Sequence, residues 1–160
     1  MTKANHFLNT FRQVIGHCWK EQHGKMEPFY AATSQLIKYG IDVNGEEAQF
    51  IYEQVWLSQG KLERPVDPSF QFNNGEALIA WQTYGLSGRL LDDEAVVAFY
   101  NEDMEAGLVV RKKTTREDGI LRETLPKGFL HGKIHAFLFF VSRDEKNASP
   151  TTYLGVAPNI

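Results

Sequence analysis

Apolar residues change their period near residue 45, and that change divides the chain into two kinds of element. Phe7, Leu8, Phe11, Val14, Ile15, Cys18 and Trp19 recur at spacings of three and four, which places them on one face of a helix over residues 6–22. Gly24 fits its stop. Pro28 suits the first turn of a second helix, where its missing amide hydrogen has no intrahelical partner to lose, and Gly40 suits the far end because glycine adopts positive φ freely. Phe29, Ala32 and Leu36, extended by Tyr39, form the second apolar stripe. The short connection at residues 24–26 predicts an antiparallel hairpin, which cannot bury two stripes by itself.

From Glu46 onward, turn residues punctuate the chain at short intervals. Strands are predicted at residues 50–58, 76–83, 94–100, 108–113, 120–125, 133–142 and 151–155. Asn73-Asn74-Gly75, Asn101-Glu102-Asp103, Glu117-Asp118-Gly119 and Pro126-Lys127-Gly128 supply turn chemistry between them, and Pro65 with Pro68 predicts a bent, extended linker. The expected fold is mainly β: a seven-stranded immunoglobulin or fibronectin III-like sandwich, preceded by the N-terminal antiparallel helical hairpin packed on one sheet. It is expected as one compact unit over residues 1–160, hairpin 1–45 and sandwich 46–160.

Side-chain alternation adds a constraint. In the sixth predicted strand Ile134, Ala136, Leu138 and Phe140 share one face, while Phe137, Phe139 and Val141 share the other with only His135 polar. The third strand is similar, with Ala95, Val97 and Phe99 opposite Val96, Ala98 and Tyr100. An antiparallel sheet normally needs one apolar face, so these two strands are expected as neighbours in a sheet whose outer side is covered. The helical hairpin is the first candidate for that cover and a partner subunit the second. Trp81, close to Ile79, is expected in the sandwich core.

Composition narrows the class. A chain of 160 residues suits one domain on the usual prior of roughly 100–200 residues. Apolar residues at 42% and charged residues at 23% are ordinary for a globular protein. The longest apolar runs, 95–100 and 136–141, fall far short of the ~20 residues that cross a bilayer. A formal charge of −3 supplies no basic field for a phosphate backbone, which disfavours nucleic acid as a partner. The basic cluster Arg111, Lys112, Lys113 and Arg116 sits beside Glu117 and Asp118 and is expected as a solvated loop. Cys18, the single cysteine, lies on the first helix's apolar stripe and is expected as a buried, inert thiol. Asn9, Arg12 and Gln13 interrupt any apolar segment near the start, so the expectation is cytoplasmic synthesis, or a place in an assembled particle.

Candidate chemistry is sparse. His131 and His135 are four apart but enter a strand rather than sharing a helical face, and His17 with His23 lacks further ligands. Asp92, Asp93 and Glu94 lack the alternating pattern of a calcium loop; Glu102, Asp103 and Glu105 are similar. Ser87, within Gly85-Leu86-Ser87-Gly88, lacks the spacing of a nucleophile elbow. No catalytic residue, metal or cofactor is therefore expected. The aromatics are more suggestive: Phe50, Tyr52 and Trp56 share one face of the first predicted strand, opposite Ile51, Val55 and Leu57. That face is expected either beneath the helices or exposed as an interaction surface.

Residues near the C-terminus also carry a resemblance. Leu138-Phe139-Phe140-Val141-Ser142, then Ser149 and Thr152-Tyr153-Leu154-Gly155, resemble the C-terminal signature of a large family of Bacteroidota proteins known only as a domain of unknown function. Thr115-Arg116 with Asp118-Gly119, Leu125-Pro126, Phe99-Tyr100-Asn101 preceded by Asp93, Leu57-Ser58 with Gly60 and Leu62, and Pro28-Phe29 with Ala31-Ala32 match in order and spacing over roughly residues 10–155. Family members carry an additional Gly-rich, basic N-terminal segment that these 160 residues do not include, and their loop after Trp81 is richer in glycine. The resemblance implies no catalytic residue. The expected function is a non-enzymatic protein–protein interaction or assembly protein, such as an accessory structural subunit, whose partner is another protein or a second copy. The alternative is a carbohydrate or small-ligand binding module using the aromatic platform.

Overall fold

A computed structural model describes residues 3–20, 26–45, 47–85 and 91–157. The chain opens with helices α1 (Lys3–Thr10), α2 (Arg12–Cys18) and α3 (Pro28–Tyr39), then strands β1 (Ile41–Asp42) and β2 (Gln49–Phe50). Longer strands follow: β3 (Val66–Asn73), β4 (Glu76–Gln82), β5 (Glu94–Asn101), β6 (Ala106–Val110), β7 (Ile120–Thr124), β8 (Ile134–Val141) and β9 (Thr152–Ala157). The described residues are thus mainly β, with three helices and three sheets. The expected helix stop at Gly24, residues 24 and 25 of the predicted connection, His23 and Ser87 lie outside the described residues.

The long strands form two antiparallel sheets, one in the order β3-β4-β7 and one in the order β6-β5-β8-β9. β5 and β8 are the expected neighbours, paired from Glu94 opposite Val141 to Asn101 opposite Ile134. Between the sheets lie Ile79, Trp81 and Leu121 from one side and Val97, Phe99, Leu138 and Phe140 from the other. The opposite face of β5 and β8 belongs to a second core, in which Val96, Ala98, Phe137 and Phe139 meet Phe7, Leu8, Phe11, Ile15 and Leu36 of the helices. Phe137 and Phe139 are completely buried. The helical layer is therefore the cover that β8's two apolar faces required, and each buried Phe contributes roughly 1.5–3 kcal/mol of transfer free energy.

All seven residues of the first predicted stripe are buried. The single helix expected there is two segments, broken at Phe11 where the backbone leaves the helical region (φ −108°, ψ 16°). The break falls where the chain crosses β6: a Cβ on Gly107 would lie 2.7 Å from Phe11 Cζ, so the close approach there depends on glycine. In α3, Ala32 and Leu36 are buried and Phe29 half-buried, but Tyr39 is exposed and leaves the stripe. Gly40 follows α3 with φ −100° rather than the expected positive φ; its value is space, since a Cβ would meet Leu36 Cδ1 at 2.5 Å.

Two strand assignments need correction. Residues 50–58 form no long strand: β2 ends at Phe50 and a 3-10 turn follows over Tyr52–Gln54. The backbone amides there find partners outside any ladder. Ile51 N–H donates to Gly40 O, Val55 N–H to Tyr52 O, and Leu57 and Ser58 N–H both donate to Thr151 Oγ1. Where Pro65 and Pro68 predict a bent, extended linker, residues 66–73 instead form β3 with strict in-out alternation. Its place at the sheet edge explains why proline is tolerated. Pro68 lies in a bulge between Val66 and Ser69, beside Asp67 at φ 45°. Turn chemistry fared better: Asn74 (φ 52°) and Gly75 (φ 80°) close the β3–β4 hairpin with the two positive φ values a tight hairpin favours.

Candidate functional site

Phe50, Tyr52 and Trp56 are all half-buried against the core beneath the helices. Phe50 packs on Phe7 at a centroid distance of 5.0 Å and meets Tyr52 edge-on at 5.7 Å. Tyr52 lies flat on His135, 3.6 Å away and within 13° of parallel, with Tyr153 beside it. Trp56 stands apart on the wall of a cleft of about 270 Å³ along α3, shared with Trp19, Met26, Gln35, Lys38 and Tyr39. The three aromatics therefore do not make one flat strand face.

Beneath Tyr52 is the polar centre of this core. His135 Nδ1 and Tyr153 Oη share a hydrogen bond of 2.8 Å. Nε2 lies 3.4 Å from Glu102 Oε1, longer than a good N–H···O bond, and is otherwise unpartnered. Burial pushes the His135 pKa below the usual imidazole value, opposed by Glu102. The same desolvation raises Tyr52 strongly and pushes Tyr100 and Tyr153 up to about 12. With one ring nitrogen engaged and the other covered, His135 acts as a packed wedge joining β8, β9 and the 52–54 turn.

Several charged residues elsewhere pair within the chain. The acidic run divides among three arginines: Asp93 binds Arg116, Glu94 binds Arg111, and Asp92 lies 3.9 Å from Arg143. Arg116 was expected in a solvated loop, yet it is 1% exposed. Its guanidinium donates to Asp93 Oδ2 through Nε (3.2 Å) and Nη2 (3.0 Å), donates to Glu63 O, and lies 3.8 Å over the Phe140 ring. Desolvation pushes the Asp93 carboxyl above its usual range and lowers Arg116, each against the pull of the other. Asn101 is fully buried and uses its whole amide: it donates to Phe129 O and His131 O and accepts from the amides of Asp103 and Met104. Cys18 is buried, and desolvation pushes its thiol up to about 11. Among the described residues no three His, Cys, Asp or Glu side chains gather as a metal site.

A groove of about 990 Å³ runs past Lys61, Asp92 and the 142–147 turn. Some of its polar atoms serve the turn itself: Asp144 accepts from Ser142 Oγ and the Lys146 amide, and Asn147 Oδ1 accepts from the Lys61 and Ala148 amides.

The outer side of α3 and the residues flanking it carry several large apolar side chains among the polar ones. Met26, Tyr30, Ile37, Tyr39 and Val43 are all exposed large hydrophobics, with Tyr30 at 59% and Ile37 at 60%. Tyr30 and Ile37 are seven residues apart, two turns of α3, and so stand on one outward line opposite Ala32 and Leu36. Their seven-residue spacing is present in the sequence, where the inward stripe Phe29-Ala32-Leu36 is the stronger signal.

Residues 1–155 match the model of DUF6266, a family of unknown function. The chain belongs to this family. The DUF6266 match spans the helical layer and both sheets together, so the family unit includes α1–α3 as well as the strands. No curated protein matches the chain. No helix among the described residues is long and apolar enough to cross a membrane.

Proposed function

We propose that this DUF6266 chain is a non-enzymatic protein–protein interaction or assembly protein, an accessory structural subunit that docks through its helical layer. The observation that carries this reading is the concentration of exposed large hydrophobics between Met26 and Val43, on the outside of a layer whose inside is fully packed. Soluble proteins rarely leave such a grouping open, and where they do it marks a contact site. The pairing of Asp93 with Arg116, Glu94 with Arg111 and Asp144 with Ser142, all within the chain, supports the same view.

The sandwich is proposed to be immunoglobulin or fibronectin III-like. The three-plus-four division, with β5 and β8 central in the larger sheet, supports that assignment. A Bacteroidota source is proposed on the signature residues at 138–155 alone. The test of function is the native size of the protein in gently lysed cells. The wild-type chain is expected to sediment well above its 18.2 kDa, and Tyr30→Ser/Ile37→Ser to fall to one chain while keeping its circular dichroism. A wild-type protein that already sediments as one free chain contradicts the reading.

A second reading, a carbohydrate or small-ligand module, is favoured by the cleft that holds Trp19, Trp56 and Tyr39 together. Two of the chain's three tryptophans line it, so a saturable change in tryptophan fluorescence with a glycan panel would support that reading, and an unchanged spectrum would remove it.

A further inference from the structure

The outward face of α3 has a charge pattern as well as an apolar ridge. At 100° per residue, Tyr30, Thr33 and Ile37 fall within about 60° of one another and form the ridge. Thr33 donates its hydroxyl to Phe29 O at 2.8 Å, so covering it strands no donor. Glu27, the extended cap residue just before Pro28 (ψ 149°), and Lys38, near the end of the helix, have Cα positions on the same flank of that ridge, about 20° apart in projection. Both are exposed, and among the described residues neither has an ion-pair partner. Each also sits at the helix end whose dipole favours its sign.

We infer that the partner of this face is a second copy of the chain, bound through antiparallel α3 helices about a two-fold axis near Thr33. This inference rests on the interaction role proposed above and names its partner. A two-fold axis perpendicular to the plane of two antiparallel helices keeps each flank on its own side and reverses the direction of the chain. Tyr30 of one copy then meets Ile37 of the other, and Glu27 of one copy lies beside Lys38 of the other. Both relations are satisfied by one axis, because 30 with 37 and 27 with 38 have nearly the same midpoint. A parallel pairing, about an axis along the helices, would put each Glu27 level with the other Glu27 and on the opposite flank, far from either Lys38, so the attractive pair would not form. Because the interface is isologous, every contact occurs twice.

The experiment is sedimentation equilibrium of the purified full chain at low and high salt, for the wild type, Glu27→Lys, Lys38→Glu and the double variant. These residues are exposed, and circular dichroism checks that each variant folds. The wild type is expected to dimerise. Either single reversal sets two like-charged pairs in place of two attractive ones and is expected to weaken dimerisation at least tenfold at low salt, less at high salt. The double variant rebuilds both pairs with their signs exchanged and is expected to return to within about threefold of wild type. A dimer indifferent to the single reversals, or a double variant weaker than either single one, overturns the antiparallel geometry. A purified wild type that stays monomeric while the protein in cell extracts sediments as a larger complex overturns the second copy as partner and leaves the interaction role standing. A monomer in both settings overturns both.

Discussion

Removing the Asp93 carboxylate leaves the Arg116 guanidinium charged in a site where it is 1% exposed, held against the Phe140 ring and with Glu63 O as its remaining acceptor. Breaking a buried pair from one side typically costs about 3–5 kcal/mol, because the surviving charge is neither hydrated nor compensated. Asp93→Ala is accordingly expected to lower the urea midpoint by roughly 2 M, taking ~2 kcal/mol per M as the slope for a domain of this size. Replacing both partners by apolar side chains removes the desolvation cost together with the attraction. Asp93→Leu/Arg116→Met is therefore expected to lie within about 2 kcal/mol of wild type, or to exceed it. Trp81 provides the optical readout, since its Nε1 donates to Arg116 O at 2.8 Å and its ring meets Phe140 edge-on. Urea titrations followed by tryptophan fluorescence, with slopes compared between variants, measure both changes. An Asp93→Ala midpoint within about 0.5 M of wild type, a quarter of the expected shift, would refute the claim that the pair is buried and charged.

Gly107→Ala is expected to destabilise by about 1–3 kcal/mol, because the added methyl meets Phe11 at the joint of α1 and α2. Phe11→Leu in that background should recover part of the loss, measured by thermal unfolding. Asn101→Asp turns an amide donor into an acceptor facing Phe129 O and His131 O, and is expected to cost at least about 2–3 kcal/mol in urea unfolding. For His135, burial lowers the folded pKa below the ordinary value of about 6.5, so below that pH the unfolded chain binds the extra proton more readily. Stability is therefore expected to fall as pH drops through the window from 6.5 to the lowered folded value, with Glu102 opposing and Lys133 reinforcing the loss. Comparing wild type with His135→Phe at pH 7.5 and 5.5 isolates this part; an equal pH dependence in both proteins contradicts it.

Periodic apolar positions were legible wherever one element supplied them. The seven-residue stripe from Phe7 to Trp19 and the double apolar face of β8 both survive in the structure, and together they led to the helical cover. What was not legible depended on partners distant in sequence. Residues 50–58 read as a strand because their side chains alternate, yet their amides bond to Gly40 and Thr151 rather than to a neighbouring strand. β3 was hidden by Pro65 and Pro68, since local chemistry does not reveal that a strand lies at an edge where a missing N–H costs nothing. Arg116 looked solvated beside Lys112 and Lys113, and only the fold brings Asp93 and Phe140 around it. Of the candidate surface, Tyr52 proved to be stacked on His135, whereas the more exposed Tyr30 and Ile37 carry a seven-residue spacing that becomes meaningful only once the opposite side of α3 is seen to be buried.

The most direct test of the account is site-specific photo-crosslinking in the producing cell, with a benzophenone side chain at Ile37 and, as a control, at Val156. Both positions are exposed, Ile37 at 60% on α3 and Val156 at 46% on β9. Discrete crosslinked species are expected from position 37 and not from position 156. Their absence from position 37, or an equal yield from both, would contradict docking through the helical layer.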